Sequence, residues 1–401
     1  MSSSRIALVV PGFEEGGGVP AVARFLAQVL RDSGRYRPEF VSLPMSSKDA
    51  ASVRVTAPGT WWWGPRTSHD SSWGENFVRV GCVGSEFEFQ RYRPRRVLTE
   101  LLSGYDVIQV VAGTPVWALA ASRAGRPVGL QVATRTAAER RSEWSRPSGP
   151  GEYWRSAMGH LSTRLEPRAL RCADAVFVEN SWMHEDVSQI IGPEQVRYAP
   201  PGVDTEVFRP ATPGFASPPG PIVAVARFAD PRKRIRLLFD AYHVLRSRKP
   251  DAPRLVIAGL SRPSDEDWEH AKRLDVRDCI DDLGAISGPE LIALYRSASV
   301  FVSSSDEEGL GLAIIEAMAC GVPVVSTDSG GPGESIVEGE TGYLVPCGDA
   351  RAIAEGLHGL LDNDPLRERM GEAGRRRAER QFSHAAAGRP FLEWYDEVLH
   401  V

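Results

Sequence analysis

The chain has 401 residues, of which 42% are hydrophobic and 25% charged, and its formal net charge is -5. This length exceeds what one hydrophobic core usually serves, so we expect two globular domains. The negative net charge provides no overall positive field, which argues against a protein that holds nucleic acid through its phosphates.

Five cysteines are scattered along the chain without a CxxC pair or a Cys/His spacing typical of a metal site. This pattern favours a reducing, cytoplasmic compartment. The first apolar run, residues 6–10, is too short for a signal peptide. No run approaches the roughly 18 apolar residues that a membrane-spanning helix needs. We therefore expect a cytoplasmic protein without integral membrane association, and the sequence does not specify its oligomeric state.

Short apolar runs alternate with helical patterns throughout the first half of the chain. Residues 6–10 form the first predicted strand, and a glycine-rich loop separates it from a helix. Apolar residues recur along that helix at the spacing of a buried stripe, at Val22, Phe25, Leu26, Val29 and Leu30. Later strands are predicted at residues 107–111, 128–132 and 175–178. This alternation is typical of βαβ units and a parallel sheet.

Residues 46–96 fit this alternation poorly, and we interpret them as a loop-rich insertion in the first domain. The segment includes three consecutive tryptophans, Trp61, Trp62 and Trp63. Adjacent tryptophans most often pack against a neighbouring helix, so burial is the expected outcome. An aromatic wall for a ligand is the alternative.

A proline-rich segment marks the expected domain boundary. Residues 209–221 contain five prolines and two glycines, which leave no room for a regular element. A second series of strands follows at residues 222–226, 255–258, 300–303 and 322–326. The sequence thus predicts an α/β fold of two facing Rossmann-like, doubly wound domains, residues 1–208 and 209–387. In such sheets ligands bind beyond the carboxyl ends of the strands.

The clearest functional motif reads Glu308-Gly309-Leu310-Gly311-Leu312-Ala313-Ile314-Ile315-Glu316. A predicted strand precedes this motif, and Gly321 and Pro323 would end its helix. The glycines let backbone N–H groups approach a ligand, and a helix N-terminus offers donors for phosphate or sugar oxygens. The helix rise separates Glu308 from Glu316, so the two carboxylates can contact different parts of one extended ligand. A helix cap at Glu308 and a surface position for Glu316 would be the alternative for this spacing alone.

Two cations near the start of the second domain form a further candidate site. Arg227 follows a predicted strand, and Lys233 stands at the start of the next helix. Cations at a helix N-terminus oppose its dipole, so a bound anion would explain their placement. The two side chains can converge on one diphosphate. A solvated basic face at residues 232–236 is the alternative.

These motifs together resemble the retaining family-4 glycosyltransferases of GT-B fold, whose E-x7-E motif matches Glu308 to Glu316. In that family the first glutamate hydrogen-bonds the donor sugar and the second holds the nucleotide ribose. The resemblance assigns those roles to Glu308 and Glu316. It also identifies Arg227 and Lys233 with the family's phosphate clamp, so Glu308, Arg227 and Lys233 are the expected catalytic residues.

The resemblance covers almost the whole chain and implies further donor contacts. A glycine turn after the first strand, which on its own often serves only chain reversal, is similar to the family's glycine loop over the donor phosphates. Residues 283–286 resemble the turn that binds the base through backbone groups, and the last helix, about 388–401, would pack back on the first domain. The donor-binding residues implied in this way are Gly17, Gly18, Ile286, Gly309, Leu310, Gly311, Leu312 and Glu316.

The acceptor side departs from the family pattern. Many members carry a histidine near the donor sugar, but the corresponding residues 131–136 contain none. Thr134 or Arg135 could replace it by donating hydrogen bonds to the sugar.

No essential metal or other cofactor is expected, since the nucleotide-sugar is a co-substrate. The acidic strings at residues 265–267 and 362–364 lie at predicted helix starts, where capping explains them. The charges of Arg227 and Lys233 would take the place of a metal at the leaving diphosphate.

The resemblance implies transfer of a sugar, with retained configuration, from a GDP- or UDP-linked donor to a small-molecule acceptor in the interdomain cleft. A hydrolysing nucleotide-sugar epimerase, which shares this fold, is one alternative. A non-catalytic sugar-nucleotide binding protein is another, and it would leave the donor intact.

Overall fold

Two sheets rich in parallel strands carry the fold in the computed structural model, which describes residues 3–139, 150–211 and 220–400. They belong to two units of the chain, Met1–Pro201 with Ala387–Val401 (unit 1) and Gly202–Ala386 (unit 2). The boundaries before Gly202 and Ala387 lie a few residues ahead of the expected ones. Most of the proline-rich segment, residues 212–219, lies outside the described residues.

The sheet of unit 1 has the strand order β3-β4-β2-β1-β5-β6-β7-β8. All its neighbouring strands pair in parallel except β3 and β4, which are antiparallel. The strands are β1 (Ser4–Pro11), β2 (Tyr36–Leu43), β3 (Thr67–Ser72), β4 (Glu75–Val80), β5 (Val107–Ala112), β6 (Val128–Val132), β7 (Ala175–Val178) and β8 (Val196–Tyr198).

Helices cover both faces of this sheet, which explains why its central strands are apolar without alternation. Ala7 and Val9 of β1 pack with Leu98 in the core on one face. On the other face, Phe391 stacks on Phe177 of β7. The helices of this unit are α1 (Gly18–Asp32), α2 (Glu88–Arg91), α3 (Arg96–Leu102), α4 (Thr136–Glu139), α5 (Pro150–Leu170), α6 (Ser181–Ile191) and, at the end of the chain, α14 (His384–Leu399).

The interpretation of residues 46–96 as a loop-rich insertion is wrong in part. Strands β3 and β4 form a hairpin that extends the sheet. Strand β4 buries Phe77 on one face of the sheet and Val80 on the other, whereas β3 is a polar strand at the sheet edge and has no apolar signal. The expected burial of the three tryptophans is also wrong, because the exposed fractions of Trp61, Trp62 and Trp63 are 58%, 89% and 69%.

The sheet of unit 2 is parallel throughout, with the order β11-β10-β9-β12-β13-β14. Alternate residues of β9 serve opposite cores: Ala224 packs with Tyr242 on one face, and Val223 with Ile315 on the other. The strands are β9 (Ile222–Val225), β10 (Leu255–Ala258), β11 (Ile280–Gly284), β12 (Val300–Ser303), β13 (Val324–Thr327) and β14 (Gly342–Val345). The helices are α7 (Ile235–Arg248), α8 (Asp265–Arg273), α9 (Gly288–Ser297), α10 (Leu312–Ala319), α11 (Pro332–Ser335), α12 (Ala350–Leu361) and α13 (Asp364–Phe382).

The final helix, α14, packs on the sheet of unit 1. The Tyr395 hydroxyl donates to Oε1 of Gln109 in β5 at 2.9 Å, and both side chains are buried. Asp396 accepts hydrogen bonds from Arg35 and Tyr36. Among the residues that the structure describes, no helix is both long and apolar enough to cross a membrane.

Candidate functional site

The loop between β12 and α10 holds Glu308, the first glutamate of the sequence motif. Glu308 pairs with the segment after β13, because its N–H donates to the Ser329 carbonyl at 3.2 Å and its carbonyl accepts from Gly331 N–H at 3.0 Å. The two segments approach so closely that a Cβ at Gly331 would lie 2.3 Å from the Gly309 carbonyl oxygen. Only glycine fits there. These contacts with the segment after β13 therefore fix the backbone of Glu308.

The side chains of Glu308 and Lys233 are in direct contact. Lys233 Nζ donates to Oε1 of Glu308 at 2.6 Å, and Ser305 Oγ donates to the same oxygen at 2.9 Å. The loops after β9 and β12 supply these residues, and the two strands are neighbours in the sheet. Both side chains are largely buried, with exposed fractions of 14% and 18%. The structure thus brings the predicted phosphate cation to the predicted sugar carboxylate.

A tight turn between β9 and α7 positions the other cations. Asp230 caps it by accepting from Arg232 N–H at 3.0 Å and also holds the Arg232 guanidinium at 2.8 Å. Burial raises the pKa of Asp230, but the hydrogen bonds and charge of Arg232, together with the charge of Lys233, outweigh burial and keep this pKa below its usual range. Arg227 stays exposed, 3.8 Å from the Asp230 carboxylate. Lys233 lies in this turn, since α7 begins only at Ile235.

Residues 232–236 do not form a simple solvated face. Arg232 is mostly buried against Asp230, whereas Arg234 and Arg236 are about half exposed and pair with Asp306 and Asp267. The alternative to a phosphate clamp therefore applies to Arg234 and Arg236 and not to Lys233.

Glu316 lies in the middle of α10 and contacts the core. The hydroxyl of Tyr295 donates to its Oε2 at 2.8 Å. Burial of this tyrosine, followed by the charge of Glu316, raises its pKa well above the usual value, so the hydroxyl stays protonated and remains a donor. This contact orients one carboxylate oxygen of a side chain that is itself only half-buried.

The N-terminus of α10 follows directly on the glycine loop. Gly311 precedes the helix with φ 84°, the left-handed region that favours glycine, and it brings no side chain to cap the helix. Leu310 is buried and anchors the loop. The N–H groups of Leu312 and Ala313 precede the first intrahelical hydrogen bond, from Ile314 N–H to the Gly311 carbonyl at 2.9 Å. Such a helix start favours an anion.

The predicted base-binding turn follows β11. Gly284 has φ 63°, and Arg262 lies across it, so that an added Cβ would lie 2.6 Å from the guanidinium. Asp282 fixes this turn by accepting from Gly284 N–H at 2.9 Å, and it pairs with Arg262 at 3.5 Å. Ile286 is half-buried and packs on the core.

The glycine turn of unit 1 lies at the carboxyl end of β1. Gly17 precedes α1 with φ 91°, and Gly16 also has a positive φ of 73°. Gly18 is the first residue of α1, and a Cβ added there would meet nothing within 4 Å. The positive φ angles therefore favour glycine at positions 16 and 17. At Gly18, by contrast, there is space for a side chain.

Thr134 and Arg135, the predicted substitutes for the missing histidine, are tied into the fold. The guanidinium of Arg135 donates to the buried Glu166 at 2.6 Å and also to Asp186. Thr134 is buried, and its N–H donates to the Gly113 carbonyl at 2.9 Å. These contacts give Arg135 a structural role, and its contact with a sugar stays a prediction.

The acidic strings cap helices as expected. Ser264 and Asp267 form a reciprocal capping box at the start of α8. Asn363 caps α13 by accepting from Leu366 N–H at 3.0 Å. In the described parts of the chain, no group of three or more His, Cys, Asp or Glu residues is arranged to hold a metal ion.

Sequence reasoning missed Ser305 and Tyr295, which orient the two motif glutamates. Ser305 lies three residues before Glu308 in the same loop. A serine after a strand is too common in sequences to indicate a functional residue. Tyr295 lies in α9, whose contact with α10 is set by the sheet order.

Family models and individual known proteins both resemble this chain. The model of the glycosyltransferase family 4 matches residues 16–207, and the model of glycosyl transferases group 1 matches residues 212–377. A D-inositol 3-phosphate glycosyltransferase of Paenarthrobacter aurescens is 32% identical over 218 residues, 51% of this chain and 52% of that protein. The match thus spans about half the length of that relative.

Two further proteins match over nearly their full length. A phosphatidyl-myo-inositol mannosyltransferase of Mycobacterium leprae is 27% identical over 98% of this chain and 97% of its own. The structure of Anabaena HepE in complex with UDP and glucose has a TM-score of 0.69 and 17% identity, and the match covers 98% of this chain and 99% of HepE. The predicted α/β fold class is confirmed by these likenesses. The chain is a glycosyltransferase of family 4 with the GT-B fold.

Proposed function

We propose that this glycosyltransferase moves a sugar from a UDP- or GDP-linked donor to a small-molecule acceptor, with retained configuration and without a metal ion. The observation that carries the proposal is the contact of Lys233 with Glu308 beside the N-terminus of α10. A cation, a carboxylate and helix N–H groups are the groups that a diphosphate bound to a sugar requires.

In this reaction the bond between the anomeric carbon and the phosphate oxygen breaks, and the acceptor oxygen forms the new bond. Lys233 and the exposed Arg227 would stabilise the charge that develops on the leaving diphosphate. Glu308 would accept a hydrogen bond from a sugar hydroxyl, and Glu316 from the ribose. The proton of the acceptor hydroxyl goes to an oxygen of the departing phosphate, so a separate side-chain base is not required.

The choice of donor follows from the relatives. HepE was solved with UDP and glucose, while the mycobacterial relative is named a mannosyltransferase. A UDP- or GDP-linked hexose is therefore the first donor to test. Two relatives are named for inositol 3-phosphate and phosphatidyl-myo-inositol, which supports an acceptor that offers a free hydroxyl group.

A melting-temperature screen with UDP, GDP, ADP and TDP tests donor binding. A nucleotide at about 100 times its Kd should add about 2.7 kcal/mol of stability. The response should disappear in Lys233→Ala and persist in Lys249→Ala. Lys249 is a suitable control because it also forms an ion pair, with Asp362 at 3.0 Å, but lies at the end of α7. No response to any nucleotide would contradict the proposal.

A product assay separates the alternatives. Incubation of the responding donor without acceptor should leave it essentially intact for a transferase, whereas a hydrolysing epimerase would release free nucleoside diphosphate. A non-catalytic binding protein would leave the donor intact with every acceptor tried.

A further inference from the structure

Large apolar side chains are exposed together in the loops that leave the strands of unit 1. They follow β2 or β4 and comprise Met45, Val55, Trp61, Trp62, Trp63 and Val83. Exposed apolar groups of this size are normally scattered singly, and a cluster marks a binding surface. The three indoles contribute most of the apolar surface, since Trp62 is 89% exposed.

This cluster lies at the ligand-binding edge of the sheet. Strand β2 runs parallel to β1, so its carboxyl end lies beside the start of the Gly17 turn. The chain enters antiparallel β3 at the same edge, where Thr67 pairs with Val80 at the end of β4. Residues 53–66, here called the tryptophan loop, therefore lie at the carboxyl ends of the strands, where α/β sheets bind ligands.

Hydrogen bonds hold the tryptophan loop in its exposed conformation. The indole N–H of Trp61 donates to the Arg54 carbonyl at 2.8 Å, and Thr60 Oγ donates to the Ala57 carbonyl at 2.7 Å. Thr56 donates to Glu86 through its N–H at 3.0 Å and its hydroxyl at 2.7 Å. An ordered loop loses little conformational entropy when a ligand binds, so it can use its full apolar area for affinity.

The composition of the loop defines what it can bind. No residue from 55 to 65 is charged, so the part of the loop that carries the three indoles has no charge of its own. The guanidinium of Arg66 lies 4.7 Å from the Trp63 ring centre and stacks on the loop itself. An anionic bilayer or a phosphorylated polyol would require several basic groups among the indoles. Flat aromatic faces instead suit a planar apolar molecule.

We propose that the tryptophan loop binds the apolar body of the acceptor and that this acceptor is a free aromatic alcohol or phenol, whose hydroxyl receives the sugar. This inference rests on the proposed glycosyl transfer and specifies its acceptor class. The hydroxyl oxygen forms the new glycosidic bond, and its proton leaves with the diphosphate.

Binding of 2-naphthol and 7-hydroxycoumarin, measured by calorimetry with myo-inositol as the polar comparison, tests this inference. The variant is Trp62→Ala/Trp63→Ala. Its matched control is Trp73→Asn, because Trp73 is also exposed, also lies near an arginine, and occupies the β3–β4 turn at the opposite edge of the sheet. Its φ of 56° is one that asparagine tolerates.

The loop variant should bind the aromatic probes about tenfold more weakly, which corresponds to about 1.4 kcal/mol, and the control should bind as the wild type does. The melting shift caused by UDP or GDP should be the same in all three proteins. With an active donor, the loop variant should raise KM for 2-naphthol while kcat changes little.

Several outcomes would overturn the inference. One is that neither aromatic probe binds the wild type, or that the loop variant binds them equally well. Another is that the variant loses binding only to phosphatidylglycerol vesicles, which would indicate a membrane surface, or loses a dimer in sedimentation, which would indicate a second copy. If the wild type binds 2-naphthol but no nucleotide shifts its melting temperature, the proposed transfer is contradicted, whereas the aromatic binding surface is not.

Discussion

The ammonium of Lys233 donates to Oε1 of Glu308 at 2.6 Å, so two groups expected to hold different parts of the donor meet each other. The pair lies on neighbouring strand ends and is largely buried. A buried cation without a partner is costly, and Glu308 supplies that partner. Donor binding would therefore exchange one anionic partner of Lys233 for another.

Glu308→Gln should separate nucleotide binding from transfer. The amide keeps the shape of the side chain but frees Lys233 for the diphosphate, so the Kd for the nucleoside diphosphate should stay the same or fall. Transfer should slow by about a hundredfold, which is about 2.7 kcal/mol. Calorimetry and a product assay measure the two effects. Glu307→Gln is the control, since Glu307 lies 3.8 Å from Arg232 outside the pair. Equal loss of nucleotide affinity in Glu308→Gln and Lys233→Ala would contradict this account.

Tyr295→Phe should weaken nucleotide binding through Glu316. It removes the hydrogen bond that orients the carboxylate and should cost about 1 kcal/mol of unfolding free energy. Tyr242→Phe is matched, because Tyr242 is equally buried and donates to the Pro253 carbonyl at 2.9 Å. Both variants should lose similar stability in urea, but only Tyr295→Phe should raise the nucleotide Kd. A rise of the nucleotide Kd in both variants would show that lower stability, and not the orientation of Glu316, weakens binding.

The sequence predicted the two α/β units because their strands are buried on both faces and read as continuous apolar runs. The runs at residues 6–10 and 107–111 fall within β1 and β5. The motif from Glu308 to Glu316 was also visible, since a strand, a glycine loop and a helix follow in order.

The features that the sequence did not predict have physical explanations. Strand β3 is polar and lies at the edge of the sheet, so no apolar pattern indicated a strand there. Exposure of Trp62 contradicts the usual preference of tryptophan for burial. The contact of Lys233 with Glu308 joins residues 75 positions apart, and it depends on β9 and β12 being neighbours in the sheet. The spacing of residues along the chain does not reveal which strands are neighbours in the sheet.

Arg375→Met should destabilise unit 2 by about 2 to 3 kcal/mol. The guanidinium of Arg375 donates to the carbonyls of Thr205, Phe208 and Ala319 at 2.9, 2.7 and 2.7 Å, and the last of these closes the C-terminal end of α10. Methionine would keep the aliphatic stem and leave these carbonyls unsatisfied. Urea unfolding measures the change.

The adjacent Arg376→Met provides the comparison. Arg376 is 58% exposed and pairs with Glu372 on the same helix at 3.5 Å, an interaction that contributes little. Its loss should change stability by less than about 0.5 kcal/mol. Similar costs for both arginines would show that Arg375 does not act through the carbonyls.

Gly311→Ala should destabilise the start of α10 by about 1 to 2 kcal/mol and weaken nucleotide binding. The residue has φ 84°, and a Cβ would lie 2.9 Å from Cδ1 of Ile314. Gly359→Ala is the control within α12, where an added Cβ meets nothing within 4 Å. Alanine there should stabilise by about 0.5 to 1 kcal/mol. Thermal unfolding with and without nucleotide distinguishes the two. A stable Gly311→Ala with normal affinity would contradict the proposed role of this turn.

Acid should loosen the tryptophan loop through Glu86. Burial would raise the pKa of this carboxyl, but hydrogen bonds from the N–H and hydroxyl of Thr56 lower it further, to about 2. The folded-state pKa lies below the unfolded value of about 4.3, so the stabilising contribution is complete above about pH 4.3 and is lost as pH falls toward 2. Glu86→Gln should therefore be less stable than the wild type at pH 7, and the difference should shrink at pH 3. Thr56→Val should reproduce part of this pattern, because it removes only the hydroxyl donor. Urea midpoints at the two pH values measure both differences, and a gap between wild type and Glu86→Gln that is the same at pH 7 and pH 3 would show that the Glu86 carboxylate does not hold the loop.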